Sequence, residues 1–350
     1  MKKILSVILT LVMLVSLVAM AGCGAKAETL KFGFGVIGNY SDVKDATAEA
    51  NGTGTANTTA VAVLLDAENK IAAMAIDSAA LTASWTAEGK VVDTTNFKSK
   101  YELGSAYGMA AALNYGMDRN GDGKVLEWNE QADAFAKTAI GKTVDEVKVF
   151  VAEDGYTTGD LATAGCTINV ADFVKALEVA VKNAAESNAT ANDTLQIGMY
   201  CIADDEKKDA TAEANGSYEL DCTAVAAVVD KDGKVVVAAT DATQGVFAFD
   251  TKGASALAAD AAITSKLALG DAYGMAAALN YGMDNNGDGK VLEWYDQAAA
   301  FNKALVGLKA SEITSLETET HYGNTDLQNA GCTITVTDFV AAAVKAATIG

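Results

Sequence analysis

The chain is expected to be an α+β protein of two homologous tandem domains, each an antiparallel sheet with packed helices. Three observations predict this. Residues 106–128 (AYGMAAALNYGMDRNGDGKVLEW) recur at 272–294 with one difference, Arg119 against Asn285. The match extends outwards: TLKFGFGV at 29–36 answers TLQIGMYC at 194–201, KDATAEANG occurs at 44–52 and 208–216, and AGCTINVADFV at 164–174 answers AGCTITVTDFV at 330–340. A repeat this long is a duplicated domain rather than a short solenoid unit. Within each repeat, strand-like segments come first and helix-like segments later, the order of an α+β unit.

The first strand of repeat one is TLKFGFGV. TAVAVLLD (59–66) and KIAAMAID (70–77) then flank the turn AEN, and in repeat two TAVAAVVD and KVVVAATD flank KDG. An Asp-Gly turn between apolar runs is a hairpin signal. A further strand is expected around 79–85. The pattern then turns helical through ELGSAYGMAAALNYG, EWNEQADAFAKTAIG and VADFVKALEVAVKNAAE, the last with Val170, Phe173, Val174, Leu177 and Val181 near helical spacing. Asp172 and Asp338 place a carboxylate in the first turn, where the helix dipole favours it. Trp128 and Trp294 open amphipathic helices and read as core. The expected boundaries are 1–22 signal peptide, 23–28 tether, 29–186 repeat one, 187–193 (SNATAND) a polar linker, and 194–350 repeat two. Each repeat is large enough to bury a core.

Lys2 and Lys3 precede an apolar run from Ile4 to Ala19, followed by Met20-Ala21-Gly22-Cys23. This resembles the bacterial lipobox. The resemblance implies cleavage before Cys23, lipidation of that thiol, and an extracytoplasmic protein tethered to the membrane. Without the two signal lysines the charge is −22, from 24 basic and 46 acidic residues. So acidic a chain argues against nucleic acid as a partner, because that affinity depends on neutralising phosphates. Of the remaining cysteines, Cys166 and Cys332 occupy one position in the two repeats. Cys201 and Cys222 answer Val36 and Thr58 by sequence, and would bond if their strands are neighbours. No CxxC pairs suggest zinc, and the lone histidine, His321, answers Gly155, which excludes a duplicated His-based catalytic site. GFGVIG at 33–38 fits GxGxxG, but no helix follows and repeat two keeps only the first glycine, so close backbone packing in a strand is the expectation.

DRNGDGKVLEWNE (118–130) and DNNGDGKVLEWYD (284–296) resemble calcium loops of the EF-hand or dockerin type. The resemblance implies Ca2+ held by Asp118, Asn120 and Asp122, and by Asp284, Asn286 and Asp288, with the carbonyls of Lys124 and Lys290. Position twelve is Asn129 or Tyr295, so Glu127 or Glu130, and Glu293 or Asp296, would supply the missing carboxylate. DLATAGCT and DLQNAGCT, with the strand–DGK–strand hairpin and KDATAEA, resemble the flavinylation-type FMN-binding domains of bacterial electron-transfer lipoproteins. Ala164 and Ala330 stand where that motif has Ser, and Cys where it has Ala. The resemblance implies FMN attached at Thr167 and Thr333, beside Gly165 and Gly331, with Tyr107 and Tyr273 stacking on the ring system. It also implies a flavin transferase and a redox partner. Two readings follow: an electron carrier outside the membrane, or a non-catalytic, calcium-stabilised surface lipoprotein that binds a partner or ligand. Neither is a stand-alone catalyst.

Overall fold

A computed structural model describes residues 28–95, 97–112, 121, 123–204, 207–278, 287 and 289–348. The α+β expectation holds. Repeat one forms strands β1 (Thr29–Lys44), β2 (Gly52–Leu65), β3 (Ile71–Trp85) and β4 (Val91–Val92), then helices α1 (Lys100–Leu103), α2 (Met109–Ala112), α3 (Trp128–Ala139), α4 (Val144–Lys148), α5 (Gly159–Thr163) and α6 (Ala171–Lys182). β5 (Ala185–Thr190) follows. Repeat two forms β6 (Thr194–Ala203), β7 (Gly216–Val229) and β8 (Val235–Phe249), then α7 (Lys266–Leu269), α8 (Met275–Ala278), α9 (Trp294–Leu305), α10 (Ala310–Ile313), α11 (Thr325–Asn329) and α12 (Thr337–Ala347). The sheets are antiparallel, in the orders β4-β3-β2-β1-β5 and β6-β7-β8.

The two sheets pack face to face, and each carries its helices on the outer face, giving four layers. The period-two alternation of the strands sorts the residues. On β2, Ala60, Ala62 and Leu64 enter the core between the sheets, while Val61, Val63 and Leu65 face the helices. On β7, Ala224, Ala226 and Val228 face the other sheet, while Val225, Ala227 and Val229 face the helices. Burial on both faces explains the near-continuous apolar runs of β2 and β7. Trp85 of repeat one stacks on Phe249 of repeat two at 5.0 Å, and its Nε1 donates to the Gly253 carbonyl at 2.9 Å.

KDATAEA has its own task in this packing. Asp45 accepts from the Ser255 amide at 2.8 Å, and the Ala46 amide donates to the Gly253 carbonyl at 2.8 Å. Reciprocally, Asp209 accepts from the Val91 amide at 2.8 Å, and the Ala210 amide donates to the Gly89 carbonyl at 2.8 Å. These are the same two bonds with the repeats exchanged, the signature of a two-fold, isologous contact. The motif is therefore kept twice because each copy clasps the other repeat.

Several local expectations change. β3 runs unbroken from 71 to 85, so the separate strand around 79–85 is its second half. The predicted helix ELGSAYGMAAALNYG starts as short pieces, because Gly104 (φ 49°) and Gly108 (φ 79°) turn the backbone out of helix. The last helix of repeat one stops at Lys182. Part of the 187–193 stretch is strand rather than free linker: β5 pairs with β1, and Ser187 Oγ donates to the Leu30 carbonyl at 2.6 Å.

The strand register also corrects the alignment of β1 with β6. A Cβ on Gly35 would meet the Ala176 carbonyl oxygen at 2.3 Å, and one on Gly198 the Ala342 carbonyl oxygen at 2.2 Å, the matching position on the last helix. Gly198 therefore stands where Gly35 does, two residues away from the match by sequence. Cys201 accordingly replaces Gly38, which faces Thr58, rather than Val36. Gly33, similarly, lies under the Ala180 carbonyl, so the first two GxGxxG glycines serve close packing of a helix on a strand, while Gly38 makes room for Ile263 in the core between the sheets.

Candidate functional site

The AGCTI turn leads from α5 into α6, and from α11 into α12. Gly165 (φ 97°) and Gly331 (φ 103°) take the left-handed region that the turn demands. The next residues go inward. Cys166 and Cys332 are fully buried, and Thr167 and Thr333 are 2% and 3% exposed. A fully buried glutamine organises each turn. Gln131 Oε1 accepts from the Thr167 amide (2.7 Å), the Thr167 hydroxyl (3.3 Å) and the Ile168 amide (3.1 Å). Its Nε2 donates to the Leu126 carbonyl at 2.9 Å. Gln297 makes the same bonds to Thr333, Ile334 and Leu292 at 2.8, 3.3, 3.1 and 2.9 Å.

Neither threonine caps the following helix: the N-cap residues are Val170 and Val336, without a side-chain cap bond. Burial pushes both free thiols up to about 12, so they are poor nucleophiles. The glutamines lie in the EQ and DQ of the second helical segment. The signal that marks them is an amide at one position of both amphipathic faces, in a row otherwise apolar.

Tyr107 and Tyr273 each hold an internal cation. Lys100 Nζ lies 5.6 Å from the Tyr107 ring centroid and 5.7 Å from that of Trp128. Lys266 Nζ lies 5.1 Å from Tyr273 and 5.7 Å from Trp294. Desolvation lowers the Lys100 pKa, partly opposed by the charges of Asp172 and Asp77. Beneath the lysines sit two buried carboxylates. Asp77 Oδ1 accepts from the Ser78 and Tyr101 amides at 2.7 and 3.1 Å, and Asp241 Oδ1 from the Ala242 and Leu267 amides at 2.8 and 3.0 Å. Burial nevertheless raises Asp77 to about 7 and Asp241 to about 6. The tryptophans are core, each edge-on to Phe173 or Phe339.

Of the calcium-loop residues, Asp118, Asn120, Asp122, Asp284, Asn286 and Asp288 lie outside the described residues. Lys124 and Lys290 are exposed. Glu127 and Glu293 are used elsewhere: Glu127 accepts from the Met109 and Ala110 amides at 2.9 and 3.2 Å, and Glu293 from the Met275 and Ala276 amides at 3.0 and 3.1 Å. Glu130 turns back to accept from the Glu127 amide at 2.9 Å, completing a capping box on α3. Asp296 lines an open groove of about 730 Å³ between α9 and α11. Gly121, Gly123, Gly287 and Gly289 have φ of 70–76°, the left-handed turns such a loop needs at positions four and six. Asn129, at position twelve, has its Oδ1 buried with no partner among the described residues.

Repeat two differs from repeat one in a polar pocket where the outer face of its sheet meets α7 and α12. Asp204, Glu219 and Asp221 have carboxylate oxygens within 4.8 Å of one another. Strand register places them where repeat one has Ser41, Thr55 and Asn57. Cys201 and Cys222, opposite one another on β6 and β7, form a disulfide with Cα atoms 4.1 Å apart, buried between the sheets. His321 Nδ1 lies 2.9 Å from Glu317 Oε1 on the surface. Among the described residues no helix is long and apolar enough to cross a membrane. The chain matches no protein-family model, no curated protein and no solved structure.

Proposed function

We propose that the chain is an extracytoplasmic lipoprotein, anchored through Cys23, that serves as a rigid non-catalytic module and binds a partner on its acidic surface. The observation that carries this reading is the state of the duplicated AGCTI turns. Both threonine hydroxyls are buried and donate to a buried glutamine. A flavin phosphate attached there would need the turn to open and the glutamine to give up its partners. The two tyrosines suited to stack on a flavin face lysines of their own repeat. Three features that the sequence keeps twice have tasks in the fold: the glutamine latch, the reciprocal clasp and the glycines under the last helices. A net charge of −22 after signal removal favours a cationic partner. Calcium at the two loops belongs to this reading as a stabiliser, supported by the glycine conformations at positions four and six.

Intact mass of the mature protein from its own host, with flavin fluorescence after denaturation, tests the reading. The expected mass carries lipid at Cys23 and no flavin. An added FMN mass that disappears in Thr167→Ala and Thr333→Ala would overturn it in favour of an electron carrier. A rise in unfolding temperature with Ca2+, reversed by chelator, is the expected sign of the loop sites.

A further inference from the structure

The acidic pocket of repeat two can be compared with its counterpart inside the same molecule. In repeat one the pocket closes with neutral donors. Asn57 Nδ2 donates to Ser41 Oγ at 2.9 Å and to Asn39 Oδ1 at 3.1 Å, and Asn39 Nδ2 donates to Asp172 Oδ2 at 2.9 Å. Ser41 Oγ passes its own hydrogen to Asp42 Oδ2 at 3.1 Å, so each neutral link of this network has a hydrogen to give and carboxylates stand only at its two ends, Asp42 and Asp172. In repeat two, Asp221 replaces Asn57, Asp204 replaces Ser41, Ile202 replaces Asn39, and Asp338 stands for Asp172. Both asparagine amides are gone; in their place Gln244, opposite Asp221 where repeat one has Ala80, reaches Asp221 and Glu219 from β8. An ionised carboxylate is acceptor-only, so Asp221 and Asp204 cannot bond to each other as anions. Asp221 Oδ1 is a buried atom with no hydrogen-bond partner among the described residues.

We propose that this pocket is a proton-operated latch, absent from the matching pocket of repeat one: as the medium acidifies, Asp221 takes up a proton and donates it to Asp204, replacing the Asn57 amide donor and tightening repeat two. The step is a simple protonation: the proton comes from solvent, one O–H bond forms and one negative charge is removed.

The surroundings favour the protonated form. Among the described residues, the charged groups facing Asp221 are Asp204 just past the end of β6, Glu219 on β7, Lys266 on α7 and Asp338 on α12, with Glu317 beyond Asp338. Gln244 on β8 adds a neutral donor, held by Glu219 at 2.8 Å. Desolvation, followed by neighbouring carboxylates, raises Glu219 and lifts Asp338 to about 6; desolvation also raises Asp221, against the pull of Lys266. These groups hold protons in the folded chain at a pH where the unfolded chain has lost them. For Asp338 that contribution is complete below about pH 4 and is lost as pH rises through about 6; for Asp221 and Glu219 it has the same sign. That is the reverse of an ordinary salt-bridged carboxylate.

The test uses the residues that repeat one already tolerates. The thermal midpoint of the full chain is measured at about pH 5 and about pH 8 for the parent, Asp221→Asn and Asp204→Ser/Asp221→Asn. The parent is expected to lose about 3 °C more than the double variant over this interval, the scale of one titrating group in a chain this size. Carboxyl-carbon NMR of Asp221 should titrate above the ordinary aspartate range. Identical pH profiles for parent and variants, or an ordinary Asp221 titration, would overturn the proposal. So would a recovery of the parent's extra loss at pH 8 by millimolar Ca2+ that exceeds the rise the same Ca2+ gives the double variant through its loops, because a cation would then hold the proton's place.

Discussion

Gln131→Leu removes the organiser of the AGCTI turn while keeping its volume close to that of glutamine. Three donor groups lose their acceptor: the Thr167 amide, the Ile168 amide and the Thr167 hydroxyl. The Leu126 carbonyl loses its donor. Gln131 and Thr167 are both buried, so water does not reach these groups without local opening. Each buried amide left unpaired costs about 1–3 kcal/mol. Partial relaxation and the weaker hydroxyl bond keep the sum near ~3–4 kcal/mol, a large share of a domain's stability. Thr167→Val, which removes only the 3.3 Å hydroxyl bond, should cost about 1 kcal/mol or less. Urea denaturation read by tryptophan fluorescence should show the Gln131→Leu midpoint well below the parent's, with Gln297→Leu matching it by symmetry. Losses under about 1 kcal/mol in both glutamine variants would refute the latch, because the bonds counted here would then be dispensable.

Other outcomes follow from the same geometry. Gly35→Ala and Gly198→Ala should each lower stability by about 1–3 kcal/mol or more, since the new methyl meets a helix carbonyl oxygen at 2.3 or 2.2 Å; thermal unfolding reads this out, and Gly233→Ala in the exposed β7–β8 turn should strain only its own φ of 79°. Peptide mapping without reductant should recover Cys201 joined to Cys222, and reduction should destabilise repeat two by about 3 kcal/mol, as expected for a link 21 residues apart. Asp77, lifted to about 7 by burial, holds a proton that the unfolded chain gives up near 4, so stability falls as pH rises across that interval. Asp77→Asn should flatten the slope; an unchanged slope would mean that Asp77 is ionised in the folded chain.

The layers of the fold were legible in part. The repeat and the strand-then-helix order set the class, and the Asp-Gly turn placed a hairpin. What sequence did not reveal is that the two repeats share a core. The alternation on β2 and β7 is masked because both faces are buried, so Ala60 and Val61 look alike until their neighbours are known. The KDATAEA clasp was visible as a repeat but not as a contact, since its partners lie in the other repeat. Aligning β1 with β6 by residue identity slipped by two, because a one-glycine match at Gly33 outweighed the helix contact that fixes Gly35 to Gly198. The resemblance that marks the AGCTI threonine for attachment carries no information on its burial; a single buried glutamine thirty-six residues upstream decides that. The substitution of Asp204 and Asp221 for Ser41 and Asn57 needed the corrected register before it had meaning.

Native-state hydrogen exchange of the full chain tests the central claim most directly, by reading the amides of Thr167, Ile168, Thr333 and Ile334. All four are expected to exchange slowly, near the rates of the β2 and β7 core, and to accelerate locally in Gln131→Leu or Gln297→Leu. Rapid exchange at these four amides in the unaltered protein would contradict it, and would mean that the turns open to solvent and expose their hydroxyls for attachment.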